Sequence, residues 1–141
     1  MEENLHKEDC IFCQIVAGGT PAQKIYEDDA VVSFLDIRPV NEGHVLVVPR
    51  NHFDRFEETS DEVLTRLLPV AKKIGLALKK AVGADGFNIM INNGAAAGEI
   101  VSHTHVHVIP RSNTDGLANW PGESYKEGDA EKVAEKIKAA L

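Results

Sequence analysis

Two short apolar segments in "QKIYEDDAVVSFLDI" flank the polar pair Asp28-Asp29, the pattern of two strands joined by a turn. The nearly continuous apolar run "HVLVVP" ends at Pro49 and predicts a buried strand. Val63, Leu64, Leu67, Leu68, Ala71, Ile74 and Leu78 then recur every three or four residues, which predicts a helix with one apolar face. Thr59 or Ser60 is placed to cap its start, Gly83 lies just past its end, and Pro69 predicts a kink or a late beginning. "GFNIMIN" and "THVHVIP" predict a fourth and a fifth strand, separated by the small-residue loop "NGAAAG". "DAEKVAEKIKAAL" predicts a short, charged C-terminal helix with Asp129 as its cap. Five strands with one long helix between the third and the fourth imply an α+β fold with a mainly antiparallel sheet. No repeat or linker divides the chain, so residues 1–141 are expected to form a single domain.

Composition narrows the function. With 141 residues, 43% of them hydrophobic, the chain can bury about two thirds of its unfolded surface without disulfides. No apolar run reaches the roughly 20 residues of a membrane span, and the acidic, polar start "MEENLHKEDC" is unlike a secretory signal, so a cytoplasmic location is expected. A net charge of -7 without a cluster of Lys and Arg argues against long DNA or RNA as a partner. A small anion in a local pocket is compatible with it. The only cysteines, Cys10 and Cys13, form a CxxC pair that in a reducing compartment points to metal or redox chemistry more than to a structural disulfide.

The sharpest chemical signal is "VSHTHVHVIPR", residues 101–111, with His103, His105 and His107 at two-residue spacing. On a strand those three side chains share one face while Val106 and Val108 point to the other, and the outer two α-carbons lie roughly 13 Å apart. Neighbouring imidazoles can chelate one metal, but all three would have to bend together to do so. The alternative is a division of labour, with one ring as nucleophile and the others as hydrogen-bonding or acid/base partners. A metal-dependent hydrolase using two of the rings is the competing enzyme reading.

The run His103-Thr104-His105-Val106-His107-Val108-Ile109 resembles the signature of the histidine triad (HIT) family. The resemblance extends over nearly the whole chain: "CIFCQIVAGGTPA", "EDDAVVSFLDIRPVNEGHVLVVPRNHF", "INNGAAAG" and the triad follow the order and spacing of the family's nucleotide-binding, Hint-like branch. It implies the HIT fold and nucleotidyl transfer to the middle histidine. His105 would attack the α-phosphorus of a purine nucleoside 5'-monophosphate derivative, AMP- or GMP-like, of the phosphoramidate type, and water would then hydrolyse the nucleotidyl-histidine. His107 and His44 complete the implied catalytic set; on sequence alone His44 also fits a plain polar residue at the start of a strand. Asp36 matches the carboxylate that binds the ribose, and Asn92 matches a ribose or phosphate ligand. Ile11, Phe12, Ile15, Phe34 and Ile37 match the apolar walls around the base, although each also suits an ordinary core. The small loop through Gly98 offers backbone N–H groups to phosphate oxygens.

In the bacterial-type members that keep the CxxC pair, Cys10, Cys13, His52 and His103 match a zinc-binding set. Two thiolates and two imidazoles fill a tetrahedral Zn²⁺ completely, so the implied site is structural; the alternative is reduced thiols filling core space. Three positions depart from the family pattern: Thr104 replaces an apolar residue, Glu99 stands where relatives often have glutamine, and Ile100 stands where the branch has a serine at the leaving group. Glu99 and Ile100 make a nucleotide- and zinc-binding protein with little turnover the second reading. Trp120-Pro121 resembles a C-terminal segment that reaches the partner's site in a homodimer, with packing on its own subunit as the alternative.

Overall fold

The structure, a computed structural model, describes residues 5–141. Strands β1 (Lys24–Glu27), β2 (Val31–Leu35), β3 (Val45–Pro49), β4 (Gly86–Met90) and β5 (Val106–Arg111) form one antiparallel sheet in the order β1-β2-β3-β5-β4. Helix α2 (Asp61–Ala81) connects β3 to β4, and α1 (Ile11–Val16) and α3 (Asp129–Ala140) lie near the chain ends. The α+β architecture is therefore the expected one, with every strand pair antiparallel.

The alternation of side chains along the strands divides the interior in two. Val31, Val45, Val47, Val106 and Val108 face α2, where Leu67, Val70, Ala71, Ile74 and Leu78 meet them. Burying each such Leu, Ile or Val side chain stabilises the fold by roughly 1.5–3 kcal/mol before entropy is counted. The opposite face carries Val32, Phe34, Leu46 and Val48, covered by Cys10, Phe12, Cys13 and Ile15 of α1 and its cap. Because Leu46 pairs with His107 across β3 and β5, the histidines lie on this second face, under α1.

Several local expectations change. Ser60 caps α2 through its hydroxyl, which accepts from the Val63 N–H, and the helix starts ahead of Pro69 and continues past it as a single 21-residue element. Gly75 lets that helix sit close to the sheet, since a Cβ there would come within 2.5 Å of the Phe87 ring. Gly128, not Asp129, is the residue before α3, and Asp129 is the first helical residue, where its charge still suits the positive helix end. Helix α1 is absent from the periodicity reading because six residues are too few to display a helical repeat. Its cap is a cysteine: Cys10 Sγ accepts from the Cys13 N–H at 3.3 Å. Strand β5 begins only at Val106, so His103 and His105 lie in the segment leading into it and not on the paired strand itself. No helix among the described residues is long and apolar enough to cross a membrane.

Candidate active site and metal centre

The rings of the triad go to two places. His103 turns toward α1 and the loop after β3, where Cys10 Sγ, Cys13 Sγ, His52 Nδ1 and His103 Nδ1 lie within 4.8 Å of one another. His105 and His107 stay together, ring centroids 5.0 Å apart, with Phe12 edge-on to His105 at 5.2 Å. The three rings thus fall into two groups, one with the cysteines and one beside Phe12.

Hydrogen bonds to groups of fixed polarity set each tautomer. The Val40 N–H reaches His44 Nδ1 at 3.1 Å, so that nitrogen accepts and Nε2 carries the proton. His44 Nε2–H then donates to His107 Nδ1 at 2.9 Å, which leaves His107 with an N–H at Nε2. His105 Nδ1–H donates to the His103 carbonyl at 2.6 Å, which leaves His105 Nε2 with a free lone pair. One ring therefore offers an electron pair beside another that offers a proton. Burial keeps His44 below its ordinary pKa and lowers His107 to about 4, so both are neutral near pH 7 and the chain of tautomers is intact there. His44 stands directly before β3 and is 2% exposed, so its ring is held inside rather than turned to solvent.

Asp36 lies beside this chain, with Oδ2 at 3.7 Å from His44 Nε2 and Oδ1 accepting from the Arg38 N–H at 2.9 Å. Asp36, His44 and His107 could also cluster around a cation. That arrangement would require His44 to give up the proton it directs at His107, so the hydrogen-bonded form suits the competing metal-hydrolase reading poorly.

The expected base wall is only partly available. Phe34 is 2% exposed and Phe12 and Ile15 are buried; Phe12 and Phe34 pack edge-on at 5.4 Å. These three back the surface, whereas Ile11, 43% exposed, and Ile37, 91% exposed, have free apolar area. The small loop is also more self-contained than expected: a 3-10 turn over Ala95–Ala97 uses the Ala97, Gly98 and Glu99 N–H groups on the carbonyls of Gly94 and Ala95. Those three amides are spent within the turn. Asn92 stands against this loop, its Nδ2 being 3.6 Å from where a Cβ on Gly98 would lie. Glu99 is half-buried and Ile100 is 92% exposed.

Thr104, a departure in sequence, has a structural explanation. It is buried, its N–H donates to the Phe53 carbonyl at 2.9 Å, and its hydroxyl shares a 2.7 Å hydrogen bond with Thr59. An apolar residue there would leave the Thr59 hydroxyl with one partner fewer.

The second cluster fits a metal. His103 Nε2–H donates to the Pro49 carbonyl at 2.9 Å and His52 Nε2–H to Asp54 Oδ1 at 2.6 Å, so both Nδ1 atoms are bare acceptors. They face each other at 3.2 Å, with Cys10 Sγ 3.4 Å and Cys13 Sγ 3.5 Å from His103 Nδ1, and Cys13 Sγ 3.3 Å from His52 Nδ1. A tetrahedral zinc, with Zn–S of about 2.3 Å and Zn–N of about 2.0–2.1 Å, spaces its ligand atoms by about 3.3–3.8 Å. Two lone pairs aimed at one point beside two sulfurs need a cation or protons between them, and the spacings match zinc. Without a cation, burial pushes the Cys13 thiol up to about 11 and His103 down to about 4. A bound divalent ion reverses that preference for the thiol.

Two groups in these networks were not found from sequence. Asp54 stands two residues after His52, so the His-x-Asp spacing was the sequence signal that could have marked it. Arg111 ends the triad motif, where it reads as a strand terminus. Its guanidinium donates to Asp115, Asn88, Asn119 and the Leu117 carbonyl, holding the Asp115 carboxyl well below the usual range and folding the 111–119 segment on itself. That segment leads to Trp120, which is 81% exposed and so packs little against its own chain.

Comparison with known proteins agrees with the geometry. The HIT domain family model matches residues 17–114. The adenosine 5'-monophosphoramidase hnt1 of Schizosaccharomyces pombe is 37% identical over 134 residues, covering 94% of this chain and 98% of that protein. Adenylylsulfatase HINT3 of Arabidopsis thaliana is 41% identical over 126 residues, 89% of this chain but only 63% of that longer protein. The crystal structure of a Zn-bound histidine triad family protein from Mycobacterium smegmatis superposes with a TM-score of 0.76 at 37% identity, covering 94% of this chain and 98% of the other. The signature, the fold and the two histidine clusters converge with these likenesses: the chain belongs to the HIT domain family.

Proposed function

We propose that this chain, acting through the whole of residues 1–141 as one domain, hydrolyses phosphoramidate-type derivatives of purine nucleoside 5'-monophosphates through a nucleotide bound covalently to His105. The observation that carries this reading is the pair of tautomers: a bare Nε2 on His105 next to an Nε2–H on His107. His105 Nε2 forms a bond to the α-phosphorus as the P–N bond breaks, and the departing nitrogen leaves as an amine with a proton taken from solvent, which the attacking water of the second step returns. The resulting imidazolium keeps its Nδ1–H on the His103 carbonyl. His107 Nε2–H donates to a phosphoryl oxygen, and His44, which holds that tautomer, acts as a positioning residue. Water then adds its oxygen to phosphorus and frees His105, so the net reaction consumes one water and yields the amine and the nucleoside monophosphate.

Asp36 is assigned to the ribose hydroxyls, Ile11 and Ile37 to the base with Phe12, Ile15 and Phe34 behind them, and Asn92 to the phosphate side, where Gly98 leaves room for the phosphate without donating its own N–H, which the turn uses. Glu99 and Ile100 border the leaving group. Cys10, Cys13, His52 and His103 would hold one structural zinc, which would tie α1 to the loop after β3 and supply rigidity rather than chemistry at phosphorus. A homodimer completes the reading, with the exposed Trp120 segment reaching toward the second copy. The names of the two enzymatic relatives support adenosine nucleotides as the substrate class.

The test is hydrolysis of an adenosine phosphoramidate by wild type and His105→Ala. Turnover should vanish in the variant while nucleotide binding persists. Equal rates would reject the enzyme. Binding without turnover in the wild type would favour the second reading, a nucleotide- and zinc-binding protein, which the exposed Ile100 in place of a hydroxyl makes specific.

A further inference from the structure

The four candidate metal ligands are oriented in unequal ways. Cys10 Sγ receives the Cys13 N–H at 3.3 Å, Cys13 Sγ receives the Lys7 N–H at 3.4 Å, and His103 leans on the Pro49 carbonyl. Those three supports are main chain and would survive almost any substitution at the supporting position. His52 alone is oriented by a side chain, Asp54, at 2.6 Å. This is the shortest of the four supports and the only one that brings a full charge.

We propose that Asp54 is the positioning residue that sets how tightly the centre holds its metal. The inference rests on the reading of Cys10, Cys13, His52 and His103 as a zinc site. By accepting the Nε2 proton, the carboxylate fixes the tautomer in which His52 Nδ1 faces the cluster, and its charge makes that nitrogen a stronger donor. Two thiolates already neutralise a divalent zinc, so the charge that Asp54 adds has to be balanced from outside the ligand set. Lys7 lies opposite it, with Nζ 3.7 Å from the same Asp54 oxygen that binds His52. The same lysine supplies the backbone N–H on Cys13 Sγ, and the Leu5 carbonyl accepts from the His52 N–H at 2.8 Å. The stretch from Leu5 to Cys13 is thus fastened to the loop after β3 at the point where Asp54 stands. Asp54 has a half-exposed side chain, 49% accessible, and supports no part of either core cluster. Removing it should therefore disturb the metal without disturbing the fold.

The experiment compares wild type, Asp54→Ala and Asp54→Asn, each titrated with zinc against a chromophoric chelator, with thermal unfolding recorded for zinc-loaded and zinc-free protein. The zinc dissociation constant should rise about 10- to 100-fold in Asp54→Ala. Asp54→Asn, which keeps an oxygen for Nε2–H but no charge, should fall between the two. Zinc-free unfolding should coincide for all three. Zinc affinities within twofold of wild type in both variants would overturn the assignment, as would an equal loss of stability in the zinc-free proteins, which marks a general structural role. If Asp54→Ala does not fold, the Asn variant carries the same decision. A wild type that takes up no zinc would overturn the metal reading and this inference with it; uptake by wild type with unchanged variants would overturn this inference alone.

Discussion

Replacing His44 by alanine is the perturbation that most sharply separates positioning from direct chemistry. His44 is buried and touches the proposed reaction only through the 2.9 Å bond from its Nε2–H to His107 Nδ1. Without it, His107 is free to change tautomer and to turn its bare nitrogen toward the phosphoryl oxygen. The lost bond from His107 Nε2–H to an anionic oxygen is worth about 1.5–3 kcal/mol, so kcat/KM should fall about 10- to 100-fold. His107→Ala removes the donor itself and should cost about 100- to 1000-fold, in the range of a lost oxyanion donor. If His44 acts solely through His107, the double variant should be no slower than His107→Ala alone. The assay is steady-state hydrolysis of an adenosine phosphoramidate by the four proteins of this cycle, each checked for a folded state at the assay temperature. Multiplying losses in the double variant would refute the relay and give His44 an independent contact with substrate.

Other outcomes follow from the packing. The hydroxyl of Ser33 is fully buried without a partner, so Ser33→Ala should stabilise the fold by about 1 kcal/mol, read as a rise of about 3 °C in Tm; a lower Tm would mean that the hydroxyl is bonded. Gly43 has φ +97° and a Cβ there would stand 3.2 Å from Leu78 Cδ2, so Gly43→Ala should cost about 2 kcal/mol in urea unfolding. Because His44 and His107 are held below the ordinary histidine pKa, the unfolded chain binds more protons as pH falls below about 6.5. Stability should therefore be present above about pH 6.5 and be lost as the pH drops through about 4, the folded value of His107, with no more than about 3 kcal/mol from that residue. His107→Phe should flatten that slope.

The strands and α2 were legible because their apolar spacing is local and their bounding residues, Asp28-Asp29, Ser60 and Gly83, act at short range. The roles of the triad were legible in kind, since two-residue spacing puts the rings on one side of an extended chain. Their final positions were not: His103 departs from its neighbours because Cys13 and His52, 90 and 51 residues away from it, meet it around one point. Burial could not be read either. Phe34 and Ile37 look equally suited to a base wall in sequence, yet one faces a packed helix and the other faces solvent. The loop "NGAAAG" offered amides in principle, but whether they stay free depends on turn geometry that Gly94 and Gly98, both at positive φ, set locally. Asp54 was within reach as the residue two after His52, whereas Arg111 meets Asn88, 23 residues away, only in the folded sheet.

Mass spectrometry of a reaction with adenosine phosphoramidate, quenched during turnover, bears most directly on the central assignment. An acid-labile nucleotidyl group should appear on the peptide containing His105, be absent in His105→Ala, and disappear as the reaction completes. Continued turnover with that peptide unmodified, or with the nucleotide on His107 instead, would contradict it.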